Sequence, residues 1–224
     1  MTKKRILIYG DSNTYGFDGA TRERFDENTR WTKVCQRLLG DDYEIIEEGL
    51  CGRTTCHDMA PEDMIETELM EAPFVNGLKY IGPCVLSHLP LDVICVKLGS
   101  NDLDVEGTRS PEMIAESAAK VLRKAKALAE EKMPDHPCKY VLMAPMISNE
   151  YALTGEFADS FTEEILERAK LLPAEYEKKA AEEGFLYFNA NEQVQCGKAD
   201  GTHLDAENHG KMAEAVSEWF RENI

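Results

Sequence analysis

The sequence predicts a three-layer α/β/α sandwich built on a five-stranded parallel sheet. Two observations predict the layers. Short apolar runs alternate with long amphipathic ones, and three of the short runs are rich in Val and Ile and nearly unbroken in apolar character, as strands covered on both faces are. A third observation sets the topology: the order β-α-β-…-β-α-β-α-β-α implies right-handed crossovers. Five strands suit the doubly wound order 2-1-3-4-5.

The elements follow in order. A first strand is expected over Arg5–Tyr9, with the turn Gly10–Gly16 after it. Asn28 is a good cap for a helix over Thr29–Leu39. Tyr43–Glu47 reads as the second strand. Residues 59–90 are too many for a simple connection. They read as an insertion within a single domain, 1–224, carrying short helices over Pro61–Met70 and Asn76–Ser87 and shaping a pocket or an oligomer contact. The third strand is Asp92–Leu98. Ile114, Ala118, Val121, Leu122, Ala125 and Leu128 recur at helical spacing within Pro111–Lys132. Strand Lys139–Ala144, helix Phe161–Glu183, strand Phe185–Asn189 and helix Ala206–Asn223, capped by Asp205, complete the chain.

Composition narrows the function classes. The 224 residues are 43% hydrophobic and 30% charged, a globular balance. Lys and Arg number 25 against 42 Asp and Glu, a net charge of −17 that repels phosphate backbones and anionic lipid surfaces. Nucleic-acid and membrane partners are therefore not expected. The seven cysteines are scattered with no CxxC pair, so free thiols in a reducing compartment are expected. The N-terminus runs straight into a strand pattern without the features of a secretory signal, which points to the cytoplasm.

In open parallel sheets, ligands bind beyond the carboxyl ends of the strands, where strand order reverses. Four groups fall there. Gly10-Asp11-Ser12-Asn13 follows the first strand and Gly49-Leu50-Cys51-Gly52-Arg53 the second. Gly99-Ser100-Asn101-Asp102 follows the third, and Asp200-Gly201-Thr202-His203 comes after the fifth. Ser12 is a weak nucleophile until a base takes its proton. His203 is the candidate base, and Asp200, three residues earlier, can orient the imidazole. The Ser12 and Gly52 backbone N–H groups and the Asn101 amide are candidate oxyanion donors. Asp11, Asn13, Cys51 and Arg53 are candidate substrate contacts. Arg53 has a second reading, as a partner for the abundant acidic side chains. Taken alone, each short block is more often a turn. Asp102 reads as a cap for the next helix, and His209 as a solvated or packed residue of the last helix.

These blocks resemble those of the GDSL/SGNH hydrolase superfamily, its naming residues falling on Ser12, Gly52, Asn101 and His203. Arg24-Phe25, Arg30-Trp31-Thr32, Ile45–Leu50 and Gly52–Thr55 resemble its arylesterase/acyltransferase branch. The first block departs from the family name, reading Asp-Ser-Asn in place of Asp-Ser-Leu. The resemblance implies a flavodoxin-like α/β/α fold, no metal or other cofactor, and hydrolysis of a small-molecule ester through an acyl-serine. Short acyl or aryl esters are the expected substrates, with acyl transfer to alcohols as an extension. The branch makes a homo-oligomer plausible. Two alternatives stay open: a deacetylase of O-acetylated sugars using the same residues, and a non-catalytic small-molecule or partner-binding module.

Overall fold

The structure is a computed structural model that describes residues 3–58, 75–103 and 107–224. Its strands are β1 (Lys4–Gly10), β2 (Tyr43–Gly49), β3 (Val93–Lys97), β4 (Lys139–Met143) and β5 (Leu186–Phe188). All pair in parallel, in the order β2-β1-β3-β4-β5 that the connection pattern predicts. Gly10 lies opposite both Gly49 and Lys97, so β1, β2 and β3 end level with one another. That register brings the turns after them to one edge.

The helices are α1 (Ser12–Tyr15), α2 (Trp31–Leu39), α3 (Gly77–His88), α4 (Pro111–Lys132), α5 (Glu163–Ala169), α6 (Leu172–Glu183) and α7 (Ala206–Asn223). Side chains alternate across a strand, so each strand feeds two cores. Leu7, Tyr9, Ile94 and Val96 pack toward α3, α4 and α6. Ile6, Ile8, Val93 and Cys95 pack toward α2 and α7. Ile8 and Ile94 are fully buried, and cutting either back to Ala costs about 2–5 kcal/mol.

Three local expectations are corrected. α2 starts at Trp31, not Thr29, because the Asp26 carboxylate accepts from the Asn28 and Thr29 N–H groups and holds them in a preceding turn. The expected helix over Phe161–Glu183 is two helices. Pro173 has no N–H to continue the ladder, so it sits in the first turn of a new helix, after a break at Lys170–Leu171. Asp102 caps no helix; Ser110 caps α4 through the Met113 N–H. Of the insertion, α3 matches the helix expected from residue 76, with Asn76 as its cap, whereas the helix expected over Pro61–Met70 lies outside the described residues. Among the described residues, no helix is long and apolar enough to cross a membrane.

Candidate active site

The turn after β1 is shaped by its own polar side chains. Asp11 caps α1, its Oδ1 accepting from the Asn13 N–H at 3.0 Å. Ser12 thereby becomes the first residue of a four-residue helix at the sheet edge. Gly10 is required by close approach: a Cβ there would stand 2.1 Å from Thr14 Oγ1.

His203 closes onto Ser12 across 191 residues of chain. Its Nε2 lies 2.8 Å from Ser12 Oγ, and its Nδ1 lies 2.6 Å from Asp200 Oδ2. Asp200 is buried, and its other oxygen accepts from the Thr202 and His203 N–H groups at 2.9 and 3.0 Å. Burial alone would raise the Asp200 pKa, but the bond to His203, its charge and the two N–H donors outweigh it and bring the carboxyl down to about 2. Asp200 is thus an anion aimed at one nitrogen of His203, which directs the other nitrogen at the hydroxyl.

The donor side is built on the turns after β2 and β3. Gly52 has φ of 70°, a left-handed conformation that favours glycine. Asn101 sits in a single 3-10 turn, Ser100–Asp102, and donates one amide hydrogen to the Arg53 carbonyl at 3.1 Å. This bond joins the Gly52–Arg53 turn to the Asn101 turn. Ser100 Oγ donates to Asp11 Oδ2 at 2.8 Å, which ties the Asn101 turn to the Ser12 turn as well.

Three of the four candidate substrate contacts have other tasks. Both Asp11 oxygens are engaged, one as the α1 cap and one by Ser100. The Asn13 amide donates to the Thr202 carbonyl and accepts from the Leu204 N–H. Arg53 is buried and neither meets solvent nor pairs with an acidic side chain through its Nη1. That nitrogen donates to the Gly10 and Glu48 carbonyls, and the guanidinium lies 4.1 Å from the centre of the Tyr9 ring. Its planar, multi-donor head gathers backbone acceptors from β1 and β2 under the turn. Cys51 is partly buried in the turn after β2.

Phe17, Phe157 and Gly19 at the site were not singled out by the sequence, and Asp102 and His209 were given other roles. The Phe17 and Phe157 rings flank His203, with centroids 4.6 and 5.9 Å from the imidazole. Gly19 is packed so tightly on Asp200 that a Cβ would fall 2.1 Å from Oδ2. Asp102 is fully buried and accepts from the Thr55 N–H and hydroxyl, with His57 Nδ1 3.4 Å away. Burial pushes the Asp102 carboxyl up to about 6 against the pull of the Thr55 bonds. His209 is buried, as its packed reading expects, and accepts from the Trp31 N–H; burial lowers its pKa to about 4. No local motif marks the phenylalanines or Gly19, because they reach the site only through the folding of the 16–25 and 150–160 loops.

Comparison with known proteins gives the family. The model of the GDSL-like lipase/acylhydrolase family matches residues 8–211. A search of curated protein sequences finds no match. Among solved structures, the native aryl esterase of M. smegmatis is 30% identical with a TM-score of 0.84, covering 99% of this chain and 100% of that one. A carbohydrate acetylesterase from Sinorhizobium meliloti is 29% identical with a TM-score of 0.82, again over 99% and 100% of the two chains. An arylesterase-like structure from Agrobacterium tumefaciens is 27% identical with a TM-score of 0.81, over 99% and 100%. The chain belongs to the GDSL-like lipase/acylhydrolase family. It is a hydrolase with the parallel α/β architecture of that family, and ester hydrolysis is its class of reaction.

Proposed function

We propose that this protein is a serine esterase acting on short-chain acyl or aryl esters through an acyl-serine. The observation that carries the reading is the unbroken line Ser12–His203–Asp200, with heavy-atom separations of 2.8 and 2.6 Å. Ser12 Oγ attacks the ester carbonyl as His203 Nε2 takes its proton. Asp200 stabilises the imidazolium. The carbonyl oxygen gains charge and is met by the Ser12 and Gly52 N–H groups and the free amide hydrogen of Asn101. Collapse expels the alcohol or phenol, which leaves with the proton held on His203. Water then attacks the acyl-serine, giving its proton to His203, and the acid departs as Ser12 is restored.

Phe17 and Phe157 favour a flat or apolar ester beside the imidazole. The test is hydrolysis of 4-nitrophenyl acetate at neutral pH. Ser12→Ala and His203→Ala are expected to lose up to about 10⁶-fold in kcat. Asn101→Ala is expected to lose about 10²–10³-fold. Activity persisting in the Ser12 and His203 variants overturns the mechanism. Failure of an organophosphonate to label Ser12 would favour a non-catalytic binding module.

A second reading has one specific support, the similarity to the S. meliloti carbohydrate acetylesterase. Higher kcat/KM on acetylated sugars than on aryl acetates would select it. Acyl transfer is an extension of the first reading: benzyl acetate formed when benzyl alcohol is added would establish it. Transfer needs an apolar entrance that favours an alcohol over water; within the 59–90 insertion, Phe74 lies outside the described residues and Leu78 packs against the core, which leaves Tyr80, exposed on α3, to form it.

We further place the chain in the cytoplasm as a single-domain homo-oligomer. The structure joins none of its seven cysteines in a disulfide among the described residues, which fits a reducing compartment. Tyr80 and Leu86 on the solvent side of α3 offer apolar surface for a second copy. A single 25.2 kDa species in sedimentation would end the oligomer reading.

A further inference from the structure

We propose a zinc-type metal site formed by Glu48, Cys84 and His88, apart from the Ser12 line and sharing no residue with it. One donor atom from each of the three residues lies within 4.8 Å of the other two. The fold places them there for simple reasons. Cys84 and His88 are four apart on α3 and so share one face of the helix. Ile46, two residues before Glu48 on β2, packs into the core beneath α3, so Glu48 points to the same side. The Arg5 Nη1 donates to the His88 and Pro90 carbonyls at 2.6 Å and its Nε to Glu44, which holds the end of α3 against β2. His88 Nε2 already meets Glu48 Oε1 at 2.9 Å.

The donor set selects the metal. A thiolate, an imidazole and a carboxylate suit Zn²⁺, whereas Mg²⁺ and Ca²⁺ prefer oxygen ligands alone. Charge balances too: one thiolate and one carboxylate neutralise a dication. Binding releases the Cys84 thiol proton to solvent, His88 contributes a ring lone pair, and water fills the fourth position. Ligand bonds of about 2.0–2.3 Å place tetrahedral donors about 3.3–3.8 Å apart. The His88–Glu48 contact at 2.9 Å must therefore open slightly and the longest donor separation, at most 4.8 Å, close by up to about 1 Å, through rotation of the Glu48 and His88 side chains. Cys84 is 1% exposed and forms a fixed floor, while the Glu48 and His88 side chains, 23% and 29% exposed, form the mouth.

The consequence is a clamp between α3 and the end of β2. The Glu48 carbonyl accepts from Arg53, and the next residues lead into the Gly52 turn. Metal binding would hold that turn's point of departure.

The test is a Co²⁺ titration of the reduced, full-length protein, followed by absorption and thermal melting. A thiolate-to-cobalt band that saturates at one equivalent, disappears on adding Zn²⁺ and accompanies a higher Tm is expected. Cys84→Ser should remove the band. His88→Ala, at the rim, should weaken binding by about tenfold or more. The Cys51→Ser protein should keep the band. No saturable band in the wild type, an unchanged titration in His88→Ala, or a band lost in Cys51→Ser instead of Cys84→Ser overturns the site. None of these readouts depends on esterase activity.

Discussion

The carboxamide of Asn13 brackets His203. Its Nδ2 donates to the Thr202 carbonyl at 3.1 Å, and its Oδ1 accepts from the Leu204 N–H at 2.9 Å. The residue next to the proposed nucleophile thus grips the chain on both sides of the proposed base. The Asn13 carbonyl in turn accepts from Trp31 Nε1 at 2.9 Å, which steadies the turn from α2. This gives physical meaning to Asn in a block whose family name carries Leu. Asn13→Leu should lower kcat by up to about 10²-fold with little change in KM, since a small misplacement of a catalytic group costs that much. Steady-state kinetics with 4-nitrophenyl acetate checks it; a rise in KM at constant kcat would restore Asn13 to the role of substrate contact.

Gly19→Ala tests the seat of Asp200. A methyl group there must displace the Asp200 carboxylate, because its ideal position is 2.1 Å from Oδ2. The bond to His203 Nδ1 then lengthens or breaks. The expected result is a protein that melts cooperatively but has a lower kcat, by one to two orders of magnitude or about 10–10²-fold. Wild-type kcat would mean that Asp200 does not need its present position.

Arg53→Met separates a structural arginine from a substrate-binding one. Loss of the guanidinium leaves the Glu48 carbonyl without that donor and removes a cation stacked on Tyr9. Destabilisation of about 1–3 kcal/mol is expected from the unmet buried acceptor. Denaturant unfolding measures it. Unchanged stability together with a raised KM for anionic esters would reverse the assignment.

Two buried groups oppose each other in acid. The His209 pKa falls from 6.5 unfolded to about 4 folded, so its contribution is complete above 6.5 and is lost as pH falls through about 4. The Asp102 pKa rises from 3.8 to about 6, so its contribution is present below 3.8 and is lost as pH rises through about 6. Each shift corresponds to about 3 kcal/mol, and the two nearly cancel between pH 4 and 6.5. Single variants should expose the partner. His209→Asn keeps an acceptor for the Trp31 N–H, and its stability should rise as pH falls from 6 to 4. Asp102→Asn keeps an acceptor for Thr55, and its stability should fall over the same range. Urea unfolding at pH 4, 5, 6 and 7 decides it; parallel pH profiles in both variants would refute the pairing.

Much of the molecule was legible in the chain. Apolar periodicity and element order led to the five parallel strands and their order, because strands buried on both faces leave a pattern in adjacent residues. The start of α7 was legible because Asp205 accepts from the Asn208 N–H within one turn, and the span of α4 because its apolar residues recur at helical spacing. The Ser12, Gly52, Asn101 and Asp200–His203 blocks could be read as a candidate site, since each is short, local and at a strand end.

What depends on contact between distant segments was decided only in three dimensions. The side chain of Arg53 looked available for a ligand, and its Nη1 donates to backbone carbonyls from two strands. Asp102 looked like a cap, and its carboxylate is drawn to Thr55, 47 residues away. Phe17, Phe157 and Gly19 carry no signature at all, and neither does the meeting of Glu48 with Cys84 and His88. Local sequence determines what a residue can do for its own turn or strand, through bonds a few residues long. Which partner wins a donor, and which group loses its water, is settled by packing, where burial and the competition for hydrogen bonds act across the whole chain.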